Sequence, residues 1–228
     1  MRWLRIGGGV LLLLAAAVVA FAVGRPVQVL PRMAPAPPYD LLDPWGESVS
    51  APRDGAPITI YTFGAIRRED HLTEVERVFR DIAQALESEG YADKVAFAYI
   101  TVDPDHDTPE VLRPVAERLA AQPGFPKITF LTGPWVAIRL TVGTGFGVYY
   151  QPAPQGESGG PDPPEPPTYD PVVVVVDGDH VIRARYPLSG AKPETLLRDV
   201  RLLTKEAMAQ GATRWIYEGA HLFLCYPK

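Results

Sequence analysis

The stretch Val95-Ala-Phe-Ala-Tyr-Ile-Thr-Val-Asp-Pro-Asp-His-Asp-Thr-Pro-Glu-Val-Leu112 decides the fold. Its first eight residues, Val95 to Val102, are apolar, aromatic or β-branched, the content of a buried strand. An acidic turn follows at Asp103-Pro-Asp-His-Asp107. Thr108 before Pro109 then marks a helix start, because proline at the first helical position gives up an N–H that would have no partner there. This helix is expected to run to about Ala121.

The same strand-to-helix alternation recurs outward from this unit. Upstream, Ile58-Thr-Ile-Tyr-Thr-Phe63 reads as a buried strand. Leu72, Val75, Phe79, Ile82 and Leu86 step by three and four, which places one apolar stripe on a helix. Asp70 is the expected N-cap and Gly90 the expected stop. Downstream, Lys127 to Thr132 is a third strand, and 134 to 146 a short helix or turn. Val172 to Val176, five valines, is a strand buried on both faces. Asp177-Gly-Asp179 turns the chain, His180 to Tyr186 alternates between two faces, and a last helix starts at Pro193. Leu196, Val200, Leu203 and Ala207 form its stripe. Parallel units followed by an antiparallel hairpin give the thioredoxin-like order: an α/β fold, a central mixed sheet flanked by helices on both faces.

The chain has 228 residues, enough for one domain and a tether. Its net charge is −5 and it carries no basic stripe, which excludes nucleic acid as a partner class. The apolar run Ile6 to Val23 follows Arg2 and Arg5. At about 1.5 Å per residue it spans roughly 27 Å, close to the hydrocarbon thickness. Residues 1–24 therefore read as a membrane anchor with its N-terminus in the cytoplasm. Ala20-Phe-Ala22 offers the competing reading, a cleaved signal peptide, but the run exceeds the usual signal core. The expected location is the inner membrane, single-pass, with the domain in the periplasm or another extracytoplasmic space. Residues 25–57 hold eight of the 25 prolines and read as a spacer that lifts the domain off the membrane, with the later half, near Trp45-Gly46, expected to pack against the body. The domain proper is expected over 58–210, interrupted by a Pro/Gly-rich insert at 151–168, and followed by an apolar tail over 211–228.

Several segments resemble the SCO/SenC family of copper chaperones for cytochrome c oxidase assembly. These are Ile100 to Leu112, Phe130-Leu-Thr-Gly133, Phe146-Gly-Val-Tyr-Tyr150, and Val172 to Asp177 with the hairpin after it. The string Asp-Pro-x-x-Asp-Thr-Pro-Glu-Val, from Asp103 to Val111, is the specific part. The resemblance covers about residues 40 to 208 and implies a copper site of a Cys-x-x-x-Cys loop after the first strand and a histidine before the last hairpin. Soft thiolates with an imidazole suit Cu(I). This sequence departs at each position: Arg67 and His71 stand at the cysteine slots and Tyr169 at the histidine slot.

The chain has one cysteine, Cys225, so an intramolecular disulfide or dithiol cycle is impossible. His71 reads either as a residual metal ligand or as a surface histidine in a first helical turn. His221 and Cys225, four apart, would share a helix face as half of a metal site, or pack as an apolar tail. Asp103, Asp105, His106 and Asp107 could hold a divalent ion, or form a turn in which aspartates bond their own backbone. Arg67, Arg68 and Tyr169 are candidate partner contacts. The resemblance implies a membrane-anchored accessory or assembly factor for a respiratory copper protein such as cytochrome c oxidase. It would act by partner binding rather than turnover, with copper possible as a ligand. Two alternatives are a constitutive scaffold subunit of a membrane complex and a thiol oxidoreductase or peroxidase. The second needs a low-pKa thiolate at the helix start, where this sequence has none.

Overall fold

Strict alternation of side chains builds the two faces of the sheet. Ile58 and Ile60 point to one face, Tyr61 and Phe63 to the other; Phe97 and Tyr99 oppose Ala98 and Ile100 in the same way. The computed structural model describes residues 27–51, 58–151 and 165–223. Its strands are β1 (Ala34–Pro35), β2 (Tyr39–Leu42), β3 (Ser48–Ala51), β4 (Ile58–Gly64), β5 (Val95–Thr101), β6 (Ile128–Leu131), β7 (Tyr150–Gln151), β8 (Thr168–Tyr169), β9 (Val172–Asp177) and β10 (Val181–Pro187). Its helices are α1 (Glu69–Ser88), α2 (Pro109–Ala120), α3 (Trp135–Ile138), α4 (Pro193–Ala207) and α5 (Ala212–Phe223).

Six strands form one mixed sheet in the order β1-β10-β9-β4-β5-β6. The pairs β4–β5 and β5–β6 are parallel, and β9 runs antiparallel to both β4 and β10. Successive parallel strands step in one direction, so right-handed crossovers place α1 and α2 on the same face. The core there joins Phe79 and Ile82 of α1, Leu112 and Leu119 of α2, and Leu196 and Val200 of α4. Each such side chain, fully buried, contributes about 1.5–3 kcal/mol. The opposite face is covered by α3, a run of wide π-type turns over Arg139–Gly145, and the β2–β3 hairpin, through Ile138, Val142, Phe146 and Leu41. The expected mixed sheet flanked by helices is present, with α1, α2 and α4 gathered on one side.

Three local expectations are corrected. Asp70 is not the N-cap: α1 starts at Glu69 with Arg68 in the cap position and no side-chain cap bond. Asp70 lies in the first turn, where a carboxylate meets the positive end of the helix, and it pairs with Arg68. The segment read as a spacer is extended but not free. Val29 and Leu30 are 0% exposed, Ala34–Pro35 pairs with β10, and β2–β3 packs on the sheet. Strand β10 does not alternate simply. A register shift between Ile182 and Ala184 sends these two residues to opposite faces and buries Arg183 between them. The tail beyond Gly211 is helical as far as Phe223. Among the described residues no helix is long and apolar enough to cross a membrane. The 6–23 run, most of the 151–168 insert and Cys225 lie outside the described residues.

Candidate functional site

The carboxyl ends of two adjacent parallel strands, β4 and β5, open into loops 65–68 and 102–108, which meet. Crevices at such strand ends are where α/β sheets place ligands. Here the crevice is filled by the protein's own side chains. Arg67 donates from Nε and Nη2 to Asp103 Oδ2, at 3.1 and 2.7 Å, with both side chains largely buried. Asp107, 0% exposed, accepts from the Ile66 N–H at 3.1 Å and from the Thr101 hydroxyl at 2.6 Å. Its other oxygen lies 2.9 Å from His106 Nδ1. Burial raises the Asp107 carboxyl above its ordinary value, although the bonds from Thr101, His106 and Ile66 oppose this.

A second contact crosses the crevice. His71, in the first turn of α1, places Nδ1 2.9 Å from the Tyr169 oxygen of β8. Arg68 Nη2 lies 3.4 Å from Nε2. Arginine has no acceptor, so Nε2 takes its proton contact and Nδ1–H is assigned as the donor to Tyr169. The Tyr169 oxygen also accepts from the buried Ala65 N–H at 3.3 Å. Gly64 makes this closure possible: a Cβ there would sit 2.6 Å from the Tyr99 hydroxyl and 2.9 Å from that of Tyr169. Burial pushes the Tyr169 phenol up to about 12, against the Ala65 bond and Arg68.

The structure therefore brings Arg68, His71 and Tyr169 into one chain of contacts, and turns Arg67 to Asp103. His221 is not with them. It lies in α5, with Nε2 2.7 Å from Glu206 Oε1, in a network centred on Arg183. That guanidinium is 2% exposed and donates to Asp177 at 2.6 Å, to Glu206 at 2.8 Å and to the Leu30 carbonyl at 2.8 Å. Sequence reasoning missed Arg183 and Glu206 because their positions look like ordinary surface positions. It also missed Thr101 and Gly64, whose roles come only from close approach between strands.

These residues do not fit Cu(I). Arg67 is a cation, His71 Nδ1 is bonded to Tyr169, and Tyr169 stays a neutral phenol at neutral pH. Asp103, His106 and Asp107 have ligand atoms within 4.8 Å of one another. Arg67, Thr101 and the Ile66 N–H already occupy those carboxylates, so the cluster is a self-satisfied turn.

Comparisons with known proteins add the context. No curated protein sequence matches the chain. The solved structures similar to it include copper-bound ScoI of Arabidopsis thaliana, with a TM-score of 0.61 and 19% identity over 75% of this chain and 99% of that one. Yeast Sco1 is similar, with a TM-score of 0.60 and 19% identity over 73% of this chain and 98% of that one. So is BsSco, described as a member of the Sco family of cytochrome c oxidase assembly proteins with a disulfide switch. Its TM-score is 0.60, with 18% identity over 78% of this chain and 98% of that one. At these identities the likeness shows the fold, the thioredoxin-like one of the Sco proteins. The sequence model of the SCO1/SenC family matches residues 35–204, and on that match the chain belongs to the SCO1/SenC family.

Proposed function

We propose that this chain is a membrane-anchored SCO1/SenC accessory or assembly factor for a respiratory copper protein such as cytochrome c oxidase. It works by binding a partner and not by turnover or by carrying copper on thiolates. The observation that carries this reading is the Arg67–Asp103 ion pair, a cation held where the family resemblance implies a soft ligand. The contact surface is the rim at Arg68, whose side chain is part exposed; Tyr169 is buried behind it and supports His71. The 6–23 run supports placement in the inner membrane with the domain on the extracytoplasmic side.

The test is a Cu(I) titration of the full chain against a chromogenic chelator, beside mild-detergent purification. The expected result is no one-to-one copper uptake and co-purification with respiratory oxidase subunits or their assembly proteins. Tight one-to-one binding that disappears in Cys225→Ser would overturn the metal-free reading and point to His221 and Cys225. Loss of every partner would overturn the accessory role.

A further inference from the structure

Helix α5 presents an apolar edge that no other described part of the domain covers. Trp215 is 80% exposed and Ile216 40% exposed. Single exposed apolar residues are ordinary, but Trp215 and Ile216 are adjacent and form a small apolar patch. The helix is nevertheless held firmly from behind. Ala220 is fully buried, His221 bonds Glu206, and Glu218 accepts two bonds from Arg32 at 3.1 and 3.2 Å. The edge is thus fixed in direction.

Arg32 belongs to the segment where the body begins. Only Gly24, Arg25 and Pro26 separate Val23, the end of the apolar run, from Val27, and Val29 and Leu30 are already buried. Val27 is four Cα steps from Val23, at most about 14 Å, and Arg32 is nine, at most about 32 Å. The ion pair to Arg32 therefore ties α5 to the segment that leads out of that run.

We propose that the Trp215–Ile216 edge of α5 is a membrane-contact surface, seated at the boundary between headgroups and acyl chains of the bilayer that holds residues 6–23. The proposal rests on the reading of that run as a membrane span. Tryptophan favours this boundary because its ring is apolar and its N–H is polar. Arg214, beside Trp215, suits anionic headgroups. One short apolar edge binds a bilayer weakly by itself, and attachment through a nearby span supplies the second signal by raising its local concentration. The neighbouring span favours lipid over a protein partner for this edge.

Full-length chain in phosphatidylcholine–phosphatidylglycerol vesicles, with plain or dibrominated acyl chains, tests this. The chain has four tryptophans, so Trp215 is read as the emission difference between wild type and Trp215→Phe. The expected result is that brominated lipid removes more than about half of the Trp215 emission, as for a ring at the interface. An unchanged Trp215 emission overturns the proposal; if it is blue-shifted but unquenched, the edge is covered by a second copy. An alkaline carbonate wash reads the span separately. Retained chain with unquenched Trp215 overturns the contact and keeps the span. Washed-off chain whose Trp215 had been quenched keeps the contact and discards the span. Washed-off and unquenched chain removes both.

Discussion

His71 and Tyr169, 98 residues apart in sequence, meet at 2.9 Å and close the crevice between α1 and β8. Their rings stand edge to face at 80°, with centroids 5.1 Å apart. Both occupy positions that the family resemblance gives to metal ligands, and here each satisfies the other.

Tyr169→Phe removes the acceptor shared by His71 and the buried Ala65 N–H. An orphaned buried donor costs about 1–3 kcal/mol. Urea unfolding should show that loss as a lower midpoint with an unchanged slope. An unchanged midpoint would mean the contact contributes nothing.

Gly64→Ala should destabilise by a similar amount, about 1–3 kcal/mol, because the new methyl overlaps two phenolic oxygens. Tyr99→Phe in the same chain should recover part of the loss, since it removes the nearer oxygen. Independent, additive effects in a double-mutant cycle would contradict the overlap.

Arg183→Met should be the most damaging of these changes, at about 3–5 kcal/mol, because it strands the largely buried carboxylates of Asp177 and Glu206 without the fully buried cation between them. Thermal unfolding measures it. Replacing all three with Asp177→Asn and Glu206→Gln should cost less than Arg183→Met alone.

Acid sensitivity should trace to Glu206. Burial pushes its carboxyl up, but the bonds from His221 and Arg183 outweigh this and hold it at about 2, below the ordinary 4.5. A depressed carboxylate stabilises the fold above its unfolded value, and that stability is lost as pH falls from about 5 towards 2. The contribution is about 3 kcal/mol at most. Stability measured against pH should be flatter in this window for Glu206→Gln than for wild type. An equal slope in the two proteins would refute the assignment.

The combined variant Arg67→Cys, His71→Cys and Tyr169→His should bind Cu(I) one-to-one and more tightly than the natural chain, because it places two thiolates and an imidazole at the positions to which the resemblance assigns ligands. Competition with a chromogenic chelator reads the gain. Failure of this variant to bind, while it remains folded, would show that the ligand slots are misassigned.

Much of the fold was legible because it rests on periodicity. The five valines of β9, the stripe from Leu72 to Leu86 and the Thr108-Pro109 start all appear where the pattern places them. The proline-rich stretch was misjudged for a physical reason. Proline reports an extended backbone, and an extended backbone serves an edge strand as well as a spacer. Val29, Leu30 and Leu41 were the available hint of burial. At the site, the resemblance singled out Arg67, His71 and Tyr169, and the structure joins the last two. Their partners Asp103 and Ala65 depend on loop geometry, which carries no period. Arg183 was hidden because a single register shift in β10 turns it inward.

The ion pair between Arg32 and Glu218 spans 186 residues. At about 5–20 residues per second of synthesis, roughly 10–40 s separate the making of its two halves. Through that interval the first segment of the body waits for its last helix, and β1 waits for β10. Completion of this fold is therefore a late event in the life of the nascent chain: a chain cut short before α5 would still pair β1 with β10 but would leave Arg32 without Glu218.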